Sequence, residues 1–135
     1  MNQKKLYRSI FSLKEIAVVG MSANANRISH QIGFYLIKQG YNIYPVNPNY
    51  NKINELKCFS NLNEIKDSID IINIFRHPDH ILPIINDSIK INPKVIWFQD
   101  GVVNYEAIDL ANENGILTIV DDCIYRRHKV FLNKT

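Results

Sequence analysis

The sequence predicts a doubly wound α/β domain in which five parallel strands carry helices on both faces, and three observations point to it. Ile16, Ala17, Val18 and Val19 form a short continuous apolar run ending on Gly20, the pattern of a strand buried on both sides. A polar loop follows, and from Ile28 apolar residues return at helical spacing. Short apolar runs then keep alternating with helical patterns along the chain, which means right-handed βαβ units. With 135 residues, 46% of them apolar, the chain is expected to be one domain over 1–135. A domain of that size buries roughly two-thirds of its unfolded surface and stands without disulfides or a structural metal.

Leu6, Ile10, Phe11 and Leu13 lie at near-helical spacing in a basic segment, predicting an amphipathic helix within residues 1–14. After the first strand and its loop, Ile28, Ile32, Tyr35, Leu36 and Gln39 mark one face of a helix, which Gly40 stops in a left-handed conformation. Gly33 inside that helix costs about 1 kcal/mol against alanine, which is understandable if it lets the helix lie close on the first strand. Asn42 to Val46 is the second strand. Pro45 has no N–H for a ladder, so this strand lies near a sheet edge or carries Pro45 near its end. Asn47 to Asn54 is turn-rich, Leu56 to Phe59 is extended, and Asn61 caps a brief helix through Leu62, Ile65 and Ile69. Asp70 to Phe75 is the third strand and ends at Arg76. Pro83 suits the first turn of a helix carrying Ile84, Ile85, Ile89 and Ile91, which ends before Pro93. Lys94 to Phe98 is the fourth strand, an Asn104-capped helix runs to Gly115, and Ile116 to Val120 is the fifth strand. Residues 124–135 read as a basic tail. Counting strands along the chain, the expected sheet order is 3-2-1-4-5, a flavodoxin-like or Rossmann-like arrangement.

Composition narrows the function classes. A net charge of +3, with no basic block beyond Arg126, Arg127, His128 and Lys129, does not indicate nucleic-acid binding. Cys58 and Cys123 are the only cysteines, without a CxxC pair or ligand-spaced histidines, so neither a disulfide framework nor a metal site is expected. The segment MNQKKLYRSIFSL has no long apolar core and no window reaches the length of a membrane span. A cytoplasmic, reducing compartment is expected.

In such a sheet the ligand crevice lies outside the carboxyl ends of the strands. The first loop holds Gly20, Ser22, Asn24, Arg27 and Ser29 beside a helix N-terminus, where free N–H groups and the helix dipole favour a phosphate. GMSANA has one glycine where a dinucleotide fingerprint needs three. Strand two ends at Asn47 and Pro48, with no acid to bind a ribose diol, which argues against NAD and admits a phosphorylated ribose. Lys52, Lys57 or Arg27 would be its partner, although Asn47-Pro48 also reads as a plain turn. Arg76 is either an anion ligand or a surface residue paired with Asp79 or Asp100. Gln99 and Gly101 end the fourth strand and Cys123 follows the fifth, while Trp97, in mid-strand, belongs to the core. Asp121, Asp122, Cys123 and His128 suggest a nucleophile and base, but no spacing defines a triad.

These residues carry a resemblance to the small bacterial and archaeal CoA-binding proteins, whose Rossmann-like domain is related to the CoA-binding domain of succinyl-CoA synthetase. The matching pieces are Val19-Gly20-x-Ser22, Arg27-x-Ser29, the Tyr35-Leu36 and Gly40-Tyr41 pair, Pro45-Val46-Asn47-Pro48, Phe75-Arg76, Trp97-Phe98-Gln99-x-Gly101-Val102, Asn104-x-Glu106-Ala107 and Asp121-x-Cys123-Ile124 followed by His128. The resemblance implies coenzyme A over the carboxyl edge of the sheet, its pyrophosphate near the Gly20 to Ser29 loop and its adenosine near Asn47-Pro48. Two departures stand out. Family members commonly have arginine where this chain has Asp122 and an acid where it has Arg127, which amounts to a charge swap between neighbours. A glycine usual after strand two is replaced near Glu55.

The expected function is therefore noncovalent binding of coenzyme A or an acyl-CoA by a binding module, sensor or subunit, with no catalytic residue assigned. An NAD(P)-dependent oxidoreductase, a Cys123-dependent acyl transferase and an interaction scaffold with a vestigial site are the alternatives.

Overall fold

The computed structural model describes residues 2–134. Helix α1 (Gln3–Phe11) is capped by Asn2, whose side chain accepts from Lys5 N–H at 2.9 Å. The expected helix range of 1–14 thus begins at Met1, outside the described residues. Strand β1 (Glu15–Val19) follows, then α2 (Ile28–Lys38), β2 (Asn42–Val46) and a small hairpin of β3 (Lys52–Ile53) with β4 (Leu56–Lys57). Its two-residue turn places Asn54 at φ 52°, a conformation asparagine tolerates well. A 3₁₀ turn over Leu62–Glu64, capped by the Asn61 side chain, leads to β5 (Ile71–Ile74), α3 (Ile81–Ile91), β6 (Val95–Phe98), α4 (Tyr105–Glu113), β7 (Leu117–Ile119) and α5 (Ile124–Lys134).

The main sheet is parallel and five-stranded, in the order β2-β1-β5-β6-β7. In the strand count used above this is 2-1-3-4-5, which corrects the expected 3-2-1-4-5. Proline explains the difference. Phe59 N–H donates to Pro45 C=O at 2.9 Å and Asn47 N–H donates to Phe59 C=O at 2.8 Å, so one isolated bridge covers the outer side of β2. In a strand a residue's N–H and C=O point to the same side, so Pro45 presents its missing donor there. A full strand cannot pair on that side, and the chain after β2 crosses to the other flank of β1 instead.

Side chains alternate strictly across the sheet. Ile16, Val18, Ile71, Val95 and Trp97 pack with α1, α2 and α5, whereas Ala17, Val19, Ile72, Ile74, Ile96 and Phe98 pack with α3 and α4. Burying both faces is what permits near-continuous apolar strands. The segment read as a basic tail is helix α5, with Ile124 fully buried and contacts to α1 and α2; Thr135 lies outside the described residues. Its charges face outward while one stripe docks, a pattern that the density of Arg and Lys conceals. Two details of α2 also differ from expectation. Ile28 is 61% exposed rather than packed inward. Gly33 makes room not for β1 but for Met21, since an added Cβ would lie 2.4 Å from the buried Met21 Cε.

His128 joins the three helices on one face. It is 3% exposed, its Nδ1 shares a 2.7 Å hydrogen bond with the Tyr35 hydroxyl of α2, and the rings of Phe11, Tyr41 and Phe131 surround it. Burial, assisted by the charges of Lys14 and Lys129, holds its pKa below the ordinary imidazole value. The unfolded chain therefore binds this proton more readily than the folded one. The resulting stability is complete above about pH 6.5 and is lost as the pH falls through the depressed folded value. Denaturation midpoints compared at about pH 8 and pH 5.5 should drop in the native protein and drop less in His128→Gln, itself less stable at the higher pH.

Candidate functional site

The order of the sheet puts its switch point between β1, which crosses to β2 on one side, and β5 on the other, and a crevice opens outside their carboxyl ends. Gly20 sits at that point with φ +90°, and its N–H donates to Val46 C=O at 2.8 Å. An added Cβ would stand 2.5 Å from the Phe75 carbonyl oxygen and 3.1 Å from Arg76 Cδ. The chain can turn here only because there is no side chain. Arg76 lies across the glycine and pairs with neither Asp79 nor Asp100: Arg126 binds Asp100 through two hydrogen bonds of 2.9 and 3.1 Å, and the exposed Asp79 donates its backbone N–H to His77 Nδ1 at 3.2 Å. Among the described residues no ion pair holds Arg76.

Most polar side chains of the first loop shape the loop itself. Ser29 Oγ accepts from Ser22 N–H, Ser22 Oγ from Asn24 N–H and Asn24 Oδ1 from Asn26 N–H, all between 2.9 and 3.0 Å. His30 Nδ1 bonds Ser22 C=O at 2.8 Å. Arg27 is the N-cap of α2 yet makes no side-chain capping bond, so its guanidinium is exposed and the first helical turn keeps donors with no side-chain cap. Ser22, Asn24 and Ser29 thus hold the loop from within, and Arg27 is left exposed beside the first turn of α2.

Asn47 is likewise internal. It is 8% exposed, its Nδ2 donates to Met21 C=O at 3.0 Å and its Oδ1 accepts from Asn49 N–H at 3.0 Å, stapling the loop after β2 to the loop after β1. Pro48 lines a cleft of about 190 Å³ together with Gly20, Leu62, Arg76, His80 and Ile84. Lys57 lies outside it, in an adjoining polar hollow that shares Asn61 with the cleft.

On the other side of Arg76 lies a cleft of about 520 Å³, lined by Ile28, Phe75, Gln99, Gly101, Cys123 and Arg126 among others. Arg76, the Gln99–Gly101 loop and Cys123, from three separate strand ends, meet there. Gln99 is buried and its Oε1 accepts from Ile124 N–H at 3.0 Å, docking the start of α5. Gly101 N–H donates to Asp121 Oδ1 at 2.8 Å. Asp122 joins Arg126 and Arg127 in ion pairs. Burial by itself would raise its pKa; hydrogen bonds from Arg127, from Cys123 N–H and from Arg126 hold it below the usual carboxylate value. His128, buried against Tyr35, lines neither cleft, so Cys123 and His128 form no nucleophile and base pair across the crevice. Ile28 and Arg126 were not legible as site residues. Ile28 fits the apolar stripe of α2 and Arg126 the basic run of α5, and only exposure and position place them in the lining of the larger cleft.

Among the described residues no three His, Cys, Asp or Glu side chains are placed to hold a metal, and no helix is long and apolar enough to cross a membrane. What remains is a Rossmann-like α/β domain with an open, two-chambered crevice at the carboxyl edge of its sheet. A model of the family described as "CoA binding domain" matches residues 14–129, and the chain belongs to that family. It is 38% identical over 117 residues to the uncharacterized protein YneT of Bacillus subtilis, covering 87% of each chain. It is 38% identical over 78 residues to an ADP-forming acetate–CoA ligase of Archaeoglobus fulgidus, a match spanning 56% of this chain and 11% of the ligase. A hypothetical protein from Pyrococcus horikoshii has the same structure at TM-score 0.93 and 32% identity, covering 97% of this chain and 93% of that one.

Glycine substitutions separate conformation from crowding at this site. Gly20→Ala and Gly101→Ala both place alanine at positive φ, at about 1–2 kcal/mol each, but only at Gly20 does the new methyl meet a backbone carbonyl. Thermal melts should show Gly20→Ala losing several degrees more than Gly101→Ala.

Proposed function

We propose that this domain binds coenzyme A or an acyl-CoA noncovalently, as a binding module, sensor or subunit. One observation carries the reading: an arginine without an ion pair crosses a side-chain-free turn between two clefts, beside an uncapped helix start. CoA is a ligand of that shape, with a pyrophosphate joining a nucleotide to a long thiol-bearing arm. The pyrophosphate would meet Arg76, Arg27 and the first-turn N–H groups of α2. The adenosine would take the cleft at Pro48, with Lys57 within reach of a 3′-phosphate, and the arm would run into the larger cleft toward Cys123. Relationship to part of a ligase that uses CoA supports the choice of ligand. With His128 bonded to Tyr35 and outside the cleft that Cys123 lines, the role proposed here is binding rather than turnover, in a cytoplasmic setting where CoA is available.

Thermal shift with CoA, 3′-dephospho-CoA and NAD tests this directly. Ligand at 100 times its dissociation constant stabilises the native state by about 2.7 kcal/mol, enough for a shift of several degrees. CoA should give the largest shift and NAD the smallest; a largest shift with NAD would replace this reading by the oxidoreductase one. In calorimetry, Arg76→Ala and Arg27→Ala should each weaken CoA binding by about 1.5–3 kcal/mol, roughly ten- to 150-fold, with little change in the melting temperature of the free protein. Unchanged affinity in both would remove the anion site from the crevice.

A further inference from the structure

One polar side chain in the interior has no use in the fold. Asn73 lies on the central strand β5, in register with Val18 on β1 and Trp97 on β6, and is fully buried. Neither its Oδ1 nor its Nδ2 has a hydrogen-bond partner. The contrast with the other buried polar residues is sharp. Asn47, Gln99, Ser29, Ser88, His30 and His128 all have partners. An unpartnered amide in an apolar interior is destabilising, and a leucine of similar volume would serve the core better. Such a group points to something it binds.

Its position says where. Register neighbours share a face, so Asn73 projects with Val18 and Trp97 toward the α1, α2 and α5 side. The next positions up that face on β5 and β6 are Phe75 and Gln99, and both line the larger cleft. Asn73 therefore lies one step, about 7 Å, beneath the cleft on the same face. Only Phe75, which is partly exposed, occupies the step between them on the strand. Ile32 and Cys123 belong both to the cleft lining and to the cluster packed on this face of the sheet.

We infer that Asn73 is a binding residue at the floor of the larger cleft, reached when the Phe75 ring yields, and that it recognises an amide of the ligand's arm. A primary amide offers one acceptor and two donors, the complement of a secondary amide with its own C=O and N–H. The nucleotide half of CoA contains no amide, whereas its arm contains two. The inference rests on the CoA reading above and deepens it, assigning recognition of the arm to a residue apart from the phosphate cradle.

Calorimetry on the whole chain with two probes tests it: CoA, and adenosine 3′,5′-bisphosphate, which lacks the arm. Asn73→Leu keeps the volume, and Asn73→Ala, which cannot overpack, guards against distortion by the larger side chain. Both variants should bind the bisphosphate within about twofold of the native protein and bind CoA about five- to thirtyfold more weakly. Equal CoA affinity in all three proteins would overturn the inference, as would an equal loss for both probes, the mark of a merely structural role. A native protein that binds the bisphosphate as tightly as CoA would overturn it as well, because the arm would then contribute nothing. A native protein that binds neither probe would overturn the CoA reading itself.

Discussion

The contact between Gly20 and the Phe75 carbonyl governs the geometry of this molecule more than any other. β1 is hydrogen-bonded on one side to β2 and on the other to β5, and the chain must leave β1 between their carboxyl ends. With an added Cβ standing 2.5 Å from a backbone oxygen, only glycine allows that exit. The exit places the loop against β2 through the Gly20 to Val46 hydrogen bond and brings the Asn47 amide within reach of Met21 C=O. Met21 then folds under α2, where Gly33 leaves it space. A single tight turn thus sets the position of the helix start, the loop and both clefts.

Much of the polarity near the crevice is committed to holding that arrangement. Ser22, Asn24, Ser29, Asn47 and Gln99 each satisfy a backbone group, so the loops are held from within. A preorganised cradle of this kind lowers the ordering cost of binding. Among the described residues near the crevice it leaves Arg76 and Arg27 without an ion pair and the Asn73 amide without a hydrogen-bond partner, the groups on which the proposed binding rests. The contrast between satisfied and unsatisfied groups separates scaffold from site more clearly than residue type does.

The carboxyl-terminal helix closes the larger cleft from the far side. Gln99 receives its first N–H, Asp122 and Arg127 pair at its base, and Arg126 reaches back to Asp100 on the loop after β6. The exposed Arg126–Asp100 pair contributes little stability by itself. Its value is positional, because it ties the loop carrying Gly101 to the helix that follows Cys123. His128 and Tyr35 hold the same helix to α2 on the buried side.

The sequence by itself determined the alternation of strands and helices, the Asn61 and Asn104 caps and the loops that border the crevice, and it marked Pro45 as unfit for a ladder on one side. These follow from local causes: apolar periodicity, a missing N–H, an Asx cap, a glycine at positive φ. Strand order was decided only in three dimensions: right-handed crossovers allow β5 to lie outside β2 or on the free flank of β1, and Pro45 selects the second only because its missing donor faces the outer side of β2. The same holds for the ends of the chain, where a docked stripe on α5 is hidden among basic residues. Tertiary structure also decided which polar side chains are satisfied within the fold and which are not. Asn47 and Asn73 look alike as letters, yet one amide is satisfied by Met21 C=O and Asn49 N–H and the other has no partner. A hydrogen bond depends on which groups distant in sequence are brought within about 3 Å, and that is a property of packing alone.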